Sequence, residues 1–144
     1  MVERLSGGCL CGKVRFSAAP AARDMGVCHC SMCRRWSGGA FMAVDCGDTV
    51  EFAEGAEPGV YVSSDYGERV FCAQCGSSLM WRMRDGSHAS VSAQAFDAPE
   101  VFALTTEIFV DEQPSGYAFA NSTRKMTGAE VFALYAPNQE PQHG

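Results

Sequence analysis

The sequence predicts a mainly β domain of short antiparallel strands, pinned by bound metal and ending in one short helix. Three observations carry that expectation. Seven of the eight cysteines stand in three tight clusters, at Cys9 and Cys11, at Cys28, Cys30 and Cys33, and at Cys72 and Cys75. Short alternating or apolar stretches run between the clusters, separated by turns that carry glycine or proline. A helix-start pattern appears once, near the C-terminus.

Taken in order, Lys13-Val14-Arg15-Phe16 alternates polar and apolar side chains as a half-buried strand does, and the alanine-rich run around Pro20 ends it. Met25-Gly26-Val27 leads into the cysteine triplet, whose exit through Arg34-Arg35-Trp36-Ser37-Gly38-Gly39 predicts a tight turn or a close backbone approach. Residues 40–44 read as a buried strand, residues 49–52 as an alternating one, residues 55–59 as a turn and residues 60–62 as another strand. Residues 68–71 and 78–83 flank the Cys72–Cys75 pair, giving strand, knuckle and strand, with Gly76 free to turn the backbone amides toward sulfur. Residues 88–93 and 106–110 complete a mostly antiparallel set. Thr127 is a good N-cap with Glu130 three residues on, Met126 and Val131 fit the hydrophobic staple, and Val131, Leu134 and Tyr135 share a helical face that Pro137 ends. The expected unit is a single domain over residues 5–136, with a polar tail at 137–144.

Composition bounds the function. A chain of 144 residues, 47% hydrophobic and 19% charged, builds one globular domain and is not disordered. No apolar run approaches the ~18 residues of a membrane span, so no membrane partner is expected. A formal charge of −6 opposes binding to nucleic acid. Residues 1–5 lead straight to the first cysteine pair with no signal-peptide pattern, so the expected location is cytoplasmic, where thiols stay reduced. Cys-x-Cys and Cys-x-x-Cys spacings suit metal ligation, whereas a disulfide between residues two apart is strained; metal is expected rather than four disulfides.

Residues two apart on a strand point to one face, so Cys9 and Cys11 would present two sulfurs together, and Cys72 and Cys75 would do the same through a knuckle. Four thiolates from two distant pairs make a closed, structural zinc site. The triplet Cys28, Cys30 and Cys33 offers three thiolates and leaves a fourth position open, the way catalytic zinc is held, and thiol–carbonyl chemistry is a natural use of it. Spacing alone also permits Cys9 and Cys11 to share a metal with the triplet. Arg34 and Arg35 follow the triplet and are candidates to bind the carboxylate of an anionic thiol, against a solvated basic turn as the plain alternative. Trp36 is a candidate pocket wall or ordinary packing. His29 is expected to point away from the metal, Cys46 to be a small buried hydrophobe, Arg124 and Lys125 to be a solvated pair, and His88 and His143 have no evident partner.

The blocks Gly7-Gly8-Cys9-Leu10-Cys11-Gly12, Cys28-His29-Cys30-Ser31-Met32-Cys33-Arg34 and Phe71-Cys72-Ala73-Gln74-Cys75-Gly76-Ser77-Ser78-Leu79 resemble, in order and spacing, those of the glutathione-dependent formaldehyde-activating enzyme and centromere protein V family. The resemblance spans residues 5–136 and implies a β-tent fold of antiparallel sheets. It also implies two zinc ions per chain, a structural one on Cys9, Cys11, Cys72 and Cys75 and a second on Cys28, Cys30 and Cys33. The activity it implies is a carbon–sulfur lyase reaction run backwards, joining glutathione to formaldehyde as S-hydroxymethylglutathione, with small-molecule thiol and aldehyde as the partners. Zinc at the triplet would either hold the thiol sulfur or polarise the aldehyde oxygen. The alternative function is a non-catalytic zinc-binding or interaction module of the same fold.

Overall fold

The computed structural model describes residues 3–135, the side chain of Tyr135 excepted. The chain runs β1 (Leu5–Gly8), β2 (Arg15–Ala18), β3 (Asp24–Cys28), α1 (Ser31–Ser37), β4 (Phe41–Asp45), β5 (Glu51–Phe52), β6 (Pro58–Val62), β7 (Gly67–Cys72), β8 (Ser78–Met83), β9 (Ala89–Ser92), β10 (Ala103–Ile108), β11 (Arg124–Met126) and α2 (Gly128–Tyr135). Two sheets form, a three-stranded one in the order β1-β2-β5 and an eight-stranded one in the order β11-β10-β3-β4-β9-β8-β7-β6. An isolated bridge between Gly7 and Phe96 ties the small sheet to the segment that follows β9 of the large one.

The strands form where alternation or apolar runs predict them, and the fold is mainly β as expected. Two pairings, β3 with β10 and β10 with β11, are parallel. A parallel partner needs a long crossover rather than a hairpin, and all of β4 to β9 lies between β3 and β10. Local patterning therefore could not reveal it. Three strands, β1, β3 and β11, lie where no alternating run was read, because their glycines or exposed edges erase the period.

The main core packs Val14, Phe16, Val44, Val70, Leu79, Met80, Val91 and Phe96 between the sheets. A second, smaller cluster gathers Cys30, Cys33, Phe41, Phe109 and Phe132, with Met32, Trp36 and Tyr66 against it. The second cluster encloses the cysteine triplet. Phe109 closes β10 with φ at 56°, a left-handed conformation that is unusual for an aromatic residue. Its ring stands edge-on to Phe132 of α2, the planes at 90°.

Helix α2 starts as the sequence predicts. The Thr127 hydroxyl accepts from the Glu130 amide at 3.2 Å while the Glu130 carboxylate accepts from the Thr127 amide at 2.9 Å, both arms of a capping box. Its buried face differs from the expectation: Gly128 and Phe132 are buried, Val131 is half-buried and Leu134 is exposed. Packing of Phe132 on Phe109 rotates the helix away from a Leu134-centred face. Pro137 and the tail at 137–144 lie outside the described residues. Among the described residues no helix is long and apolar enough to cross a membrane. Thr127→Ala should lower stability by about 1 kcal/mol through loss of the cap, read from the midpoint of thermal or urea denaturation at unchanged secondary structure.

Candidate metal centre

Two knuckles bring four thiols together. Cys9 and Cys11 stand in the turn after β1 and not on a strand face, because the hairpin must reverse between Gly8 and Arg15 and the cysteines occupy the reversal. The Cys9 sulfur accepts from the Val14 amide at 3.2 Å, and the Gly12 amide donates to the Cys9 carbonyl at 3.2 Å. The second knuckle repeats the scheme: the Gln74 and Cys75 amides reach the Cys72 sulfur at 3.3 and 3.4 Å, and the Gly76 amide donates to the Cys72 carbonyl at 2.8 Å. Gly12 and Gly76 close their turns at φ 81° and 80°, which glycine adopts without a Cβ clash. Ser77 stitches the two turns, accepting from the Leu10 amide at 3.0 Å and lying 3.2 Å from the Cys75 sulfur.

The four sulfurs lie within 4.8 Å of one another. Cys9 and Cys11 are 3.6 Å apart, and Cys11 and Cys72 are 3.7 Å apart. A tetrahedron with Zn–S bonds of about 2.3 Å has edges of about 3.8 Å, so this donor set fits zinc in both chemistry and spacing. The thiols divide their charge unequally. Hydrogen bonds from Ser77 pull Cys75 down to about 5, whereas Cys11, though the Lys13 amide favours its thiolate, is held up at about 11 by desolvation and the neighbouring thiols. Such a cluster ionises fully only around a cation.

The triplet is built where β3 turns into α1. Cys28 ends the strand, and the Cys30 sulfur caps the helix by accepting from the Cys33 amide at 3.3 Å. Helix α1 is not legible in the sequence, since seven residues are too few to show an apolar stripe and cysteine is not among the usual capping residues; the paired glycines turn the chain at its end, with Gly38 at φ 85°. The sulfurs of Cys28, Cys30 and Cys33 lie within 4.8 Å of one another, and among the described residues no fourth Cys, His, Asp or Glu joins them. Hydrogen bonds from Cys28 and Cys30, with help from the Arg69 charge, hold the Cys33 thiol down at about 3; the same contacts and burial push Cys28 well up. Three thiols sharing their charge in this way suit a thiophilic cation.

His29, between two of these cysteines, is fully buried and faces away from the sulfurs into partners of its own. Its Nε2 lies 2.8 Å from Glu107 and its Nδ1 2.8 Å from the Tyr117 hydroxyl. Glu107, 1% exposed, also accepts from Thr123 and sits 3.6 Å from Lys125. Burial alone would raise its carboxyl; Thr123, His29 and Lys125 reverse that and hold it below the usual range. Sequence reading missed this network, since Glu107 and Tyr117 carry no motif and Lys125 reads as solvated.

Arg34 spends its Nε on the His29 carbonyl at 2.9 Å, which braces the turn, while Arg35 is exposed on α1. Trp36 packs edge-on to Phe41 and takes the guanidinium of Arg69 over its face at 5.1 Å. Arg69, on β7, was also missed. It is 2% exposed, and its Nη1 donates to the Cys33 sulfur at 3.4 Å. Along β7, Glu68, which pairs across the sheet with Arg82 at 2.7 Å, shares a face with the fully buried Val70, so alternation with Val70 inward would have turned Arg69 to solvent; its burial is a tertiary fact. Cys46 is buried outside both thiol groups, with burial raising its thiol to about 12. His88 lies 3.1 Å from Asp45, Arg124 is exposed, and His143 is outside the described residues.

Comparison with known proteins points to one family. The family model described as glutathione-dependent formaldehyde-activating enzyme matches residues 4–112, which include all seven clustered cysteines. A Schizosaccharomyces pombe protein named an uncharacterized lyase is 32% identical over 126 residues, covering 87% of this chain and 92% of its own. A Halomonas elongata protein provisionally named a glutathione-dependent formaldehyde-activating enzyme is 33% identical over 84 residues, covering 52% of this chain and 54% of its own. A crystal structure of a Rhodobacter sphaeroides protein shares the fold, with a TM-score of 0.56 at 23% identity over 65% of this chain and 88% of that one.

Glu107→Gln keeps the shape of the buried network and removes its charge. Because the folded carboxyl titrates below its unfolded value, its contribution is complete above pH ~4.3 and fades as pH falls through the folded value. The variant should be about 2 kcal/mol less stable than the parent at pH 7. The gap should narrow in urea titrations carried down toward pH 3; a gap that does not change with pH would contradict the assignment.

Proposed function

The chain belongs to the glutathione-dependent formaldehyde-activating enzyme family, and we propose that it is a zinc-dependent, carbon–sulfur lyase-type enzyme that joins a thiol such as glutathione to a small aldehyde such as formaldehyde. The observation that carries this reading is the contrast between the two thiol groups, one with four members and one with three. Cys9, Cys11, Cys72 and Cys75 would hold a structural zinc, and Cys28, Cys30 and Cys33 a second one. When bound at three thiolates, zinc supplies an acid in the remaining position that keeps a substrate sulfur ionised or polarises a carbonyl oxygen.

The rest falls to the protein. The His29 network and the Arg34 brace fix the turn that carries the three thiols, so little is left to reorganise when a substrate arrives. Arg35, and the guanidinium nitrogens of Arg34 beyond Nε, are the groups proposed to meet a carboxylate of an anionic thiol. Trp36, Phe41, Phe109 and Phe132 keep water from the buried side of the triplet. In the reaction the thiol S–H bond breaks, a C–S bond forms to the aldehyde carbon, and the proton ends on the former carbonyl oxygen.

One observation favours the second reading, a non-catalytic zinc module: Cys30 and Cys33 are only 1% and 6% exposed, leaving Cys28 as the accessible edge. Metal counting on the purified protein, alongside exchange-resolved measurement of the formaldehyde adduct of glutathione, separates the two. The catalytic reading expects two zinc ions per chain and adduct exchange above the uncatalysed rate. Cys30→Ala should lose one zinc and that exchange while staying folded. Cys72→Ala should not fold, since a structural zinc contributes ~10–16 kcal/mol, as much as a whole domain's stability. Exchange at the uncatalysed rate with two zinc ions bound would establish the module instead.

A further inference from the structure

Arg69 contains an anomaly that the metal site does not absorb. Its guanidinium is buried, with Nη1 on the Cys33 sulfur at 3.4 Å and one face on Trp36 at 5.1 Å, yet its Nη2 is enclosed with no hydrogen-bond partner among the described residues. A buried donor left unpaired is costly, and a charged one more so. Neutralising the thiolates explains the charge and the Nη1 contact. It does not explain the fork, because a lysine would serve a sulfur equally well as a point charge. Nη1 and Nη2 share one carbon, so the unpaired donor stands within one guanidinium width of the sulfur it accompanies. Cys33 belongs to the triplet and Trp36 packs against the aromatic cluster around it, so the unpaired donor lies at that edge of the site.

We propose that Arg69 Nη2 is the oxygen-binding group of the site, donating to the oxygen of the aldehyde and of the S-hydroxymethyl product while Nη1 stays on Cys33. This deepens the lyase reading and rests on it. As the thiol sulfur bonds to the carbonyl carbon, the C=O π pair moves onto oxygen, and a fixed guanidinium N–H is placed where that negative charge develops. The proton that completes the hydroxyl comes from the thiol; Arg69 remains protonated throughout. A donor held rigid in a site of low dielectric is the arrangement that favours a developing oxyanion over its neutral parent. The same contact would select, among thioethers of one thiol, the one that carries a hydroxyl on the first carbon.

The test compares two ligands that differ in that oxygen. S-hydroxymethylglutathione, formed in place from glutathione and excess formaldehyde, and S-methylglutathione are titrated against the zinc-loaded protein by calorimetry. The wild type should prefer the hydroxymethyl form by about tenfold or more, the strength of a charged hydrogen bond. Arg69→Lys, which keeps the charge beside Cys33 and removes the second arm, should keep two zinc ions and bind S-methylglutathione as before, while the preference collapses toward unity and adduct exchange falls about 100-fold; Arg69→Met, which removes the charge too, should also weaken zinc at the triplet. No preference in the wild type overturns the proposal whether or not the variants fold, and so does an Arg69→Lys protein that keeps both preference and rate. Binding of neither ligand by the zinc-loaded wild type would instead remove the lyase reading beneath it.

Discussion

The approach of the Cys11 sulfur to the Cys72 sulfur at 3.7 Å, across 61 residues of sequence, is the constraint around which the rest of the chain is arranged. It joins the hairpin of β1 and β2, which belongs to the small sheet, to the β7–β8 knuckle of the large one. The small sheet is also held to the rest of the chain by the shared core of Val14, Phe16, Leu79 and Phe96, by the Arg15–Asp97 ion pair and by a bridge from Gly7 to Phe96. Amides aimed at the sulfurs from both knuckles show that the backbone is shaped for charged thiolates, and thiolates in such proximity repel unless a cation lies among them. A metal ion held by these four thiols would therefore make folding and metal binding one free-energy problem.

The triplet obeys a different logic. It sits on a strand-to-helix turn, where Cys28 continues β3, Cys30 caps α1 and Cys33 lies in its first turn, so three sulfurs converge without any long-range loop closure. Long-range contacts arrive around it instead. His29 is locked to Glu107 of β10, Arg69 reaches in from β7, and Phe132 closes over from α2. Each of these groups comes from a separate part of the chain. The local thiols can form early and cheaply, while their surroundings exist only in the finished fold.

That difference explains what could be read from the sequence. Spacing revealed the three cysteine clusters, because Cys-x-Cys and Cys-x-x-Cys are local facts, but left open which of them share an ion; the structure gathers Cys9 and Cys11 with Cys72 and Cys75 and leaves the triplet by itself. The capping box of α2 was legible for the same reason. A strand at residues 106–110 was legible, but the parallel pairing of β10 was not, since nothing within it names β3 as its neighbour. Arg69 and Glu107 were not either: a charge inside a strand is ordinarily solvated, and only tertiary packing makes one buried. Even the helix α1 escaped, its N-cap being a cysteine already assigned to metal.

The burial of the two groups runs opposite to a simple ranking of importance. The four-thiol group lies near the surface, with Cys11 exposed and Cys9 and Cys75 half-buried, whereas Cys30 and Cys33 of the three-thiol group are in the core. A fully ligated ion can stand in water without consequence, because its four sulfurs already exclude competitors. An ion with a free position is better placed in the interior, where every charge acts at greater strength and where water cannot fill that position from all sides. Interior placement carries its own requirement: three thiolates and one divalent cation leave a net negative charge, and a buried charge needs a partner. Arg69 brings a positive charge to Cys33 from a strand, and its second arm, Nη2, has no hydrogen-bond partner among the described residues.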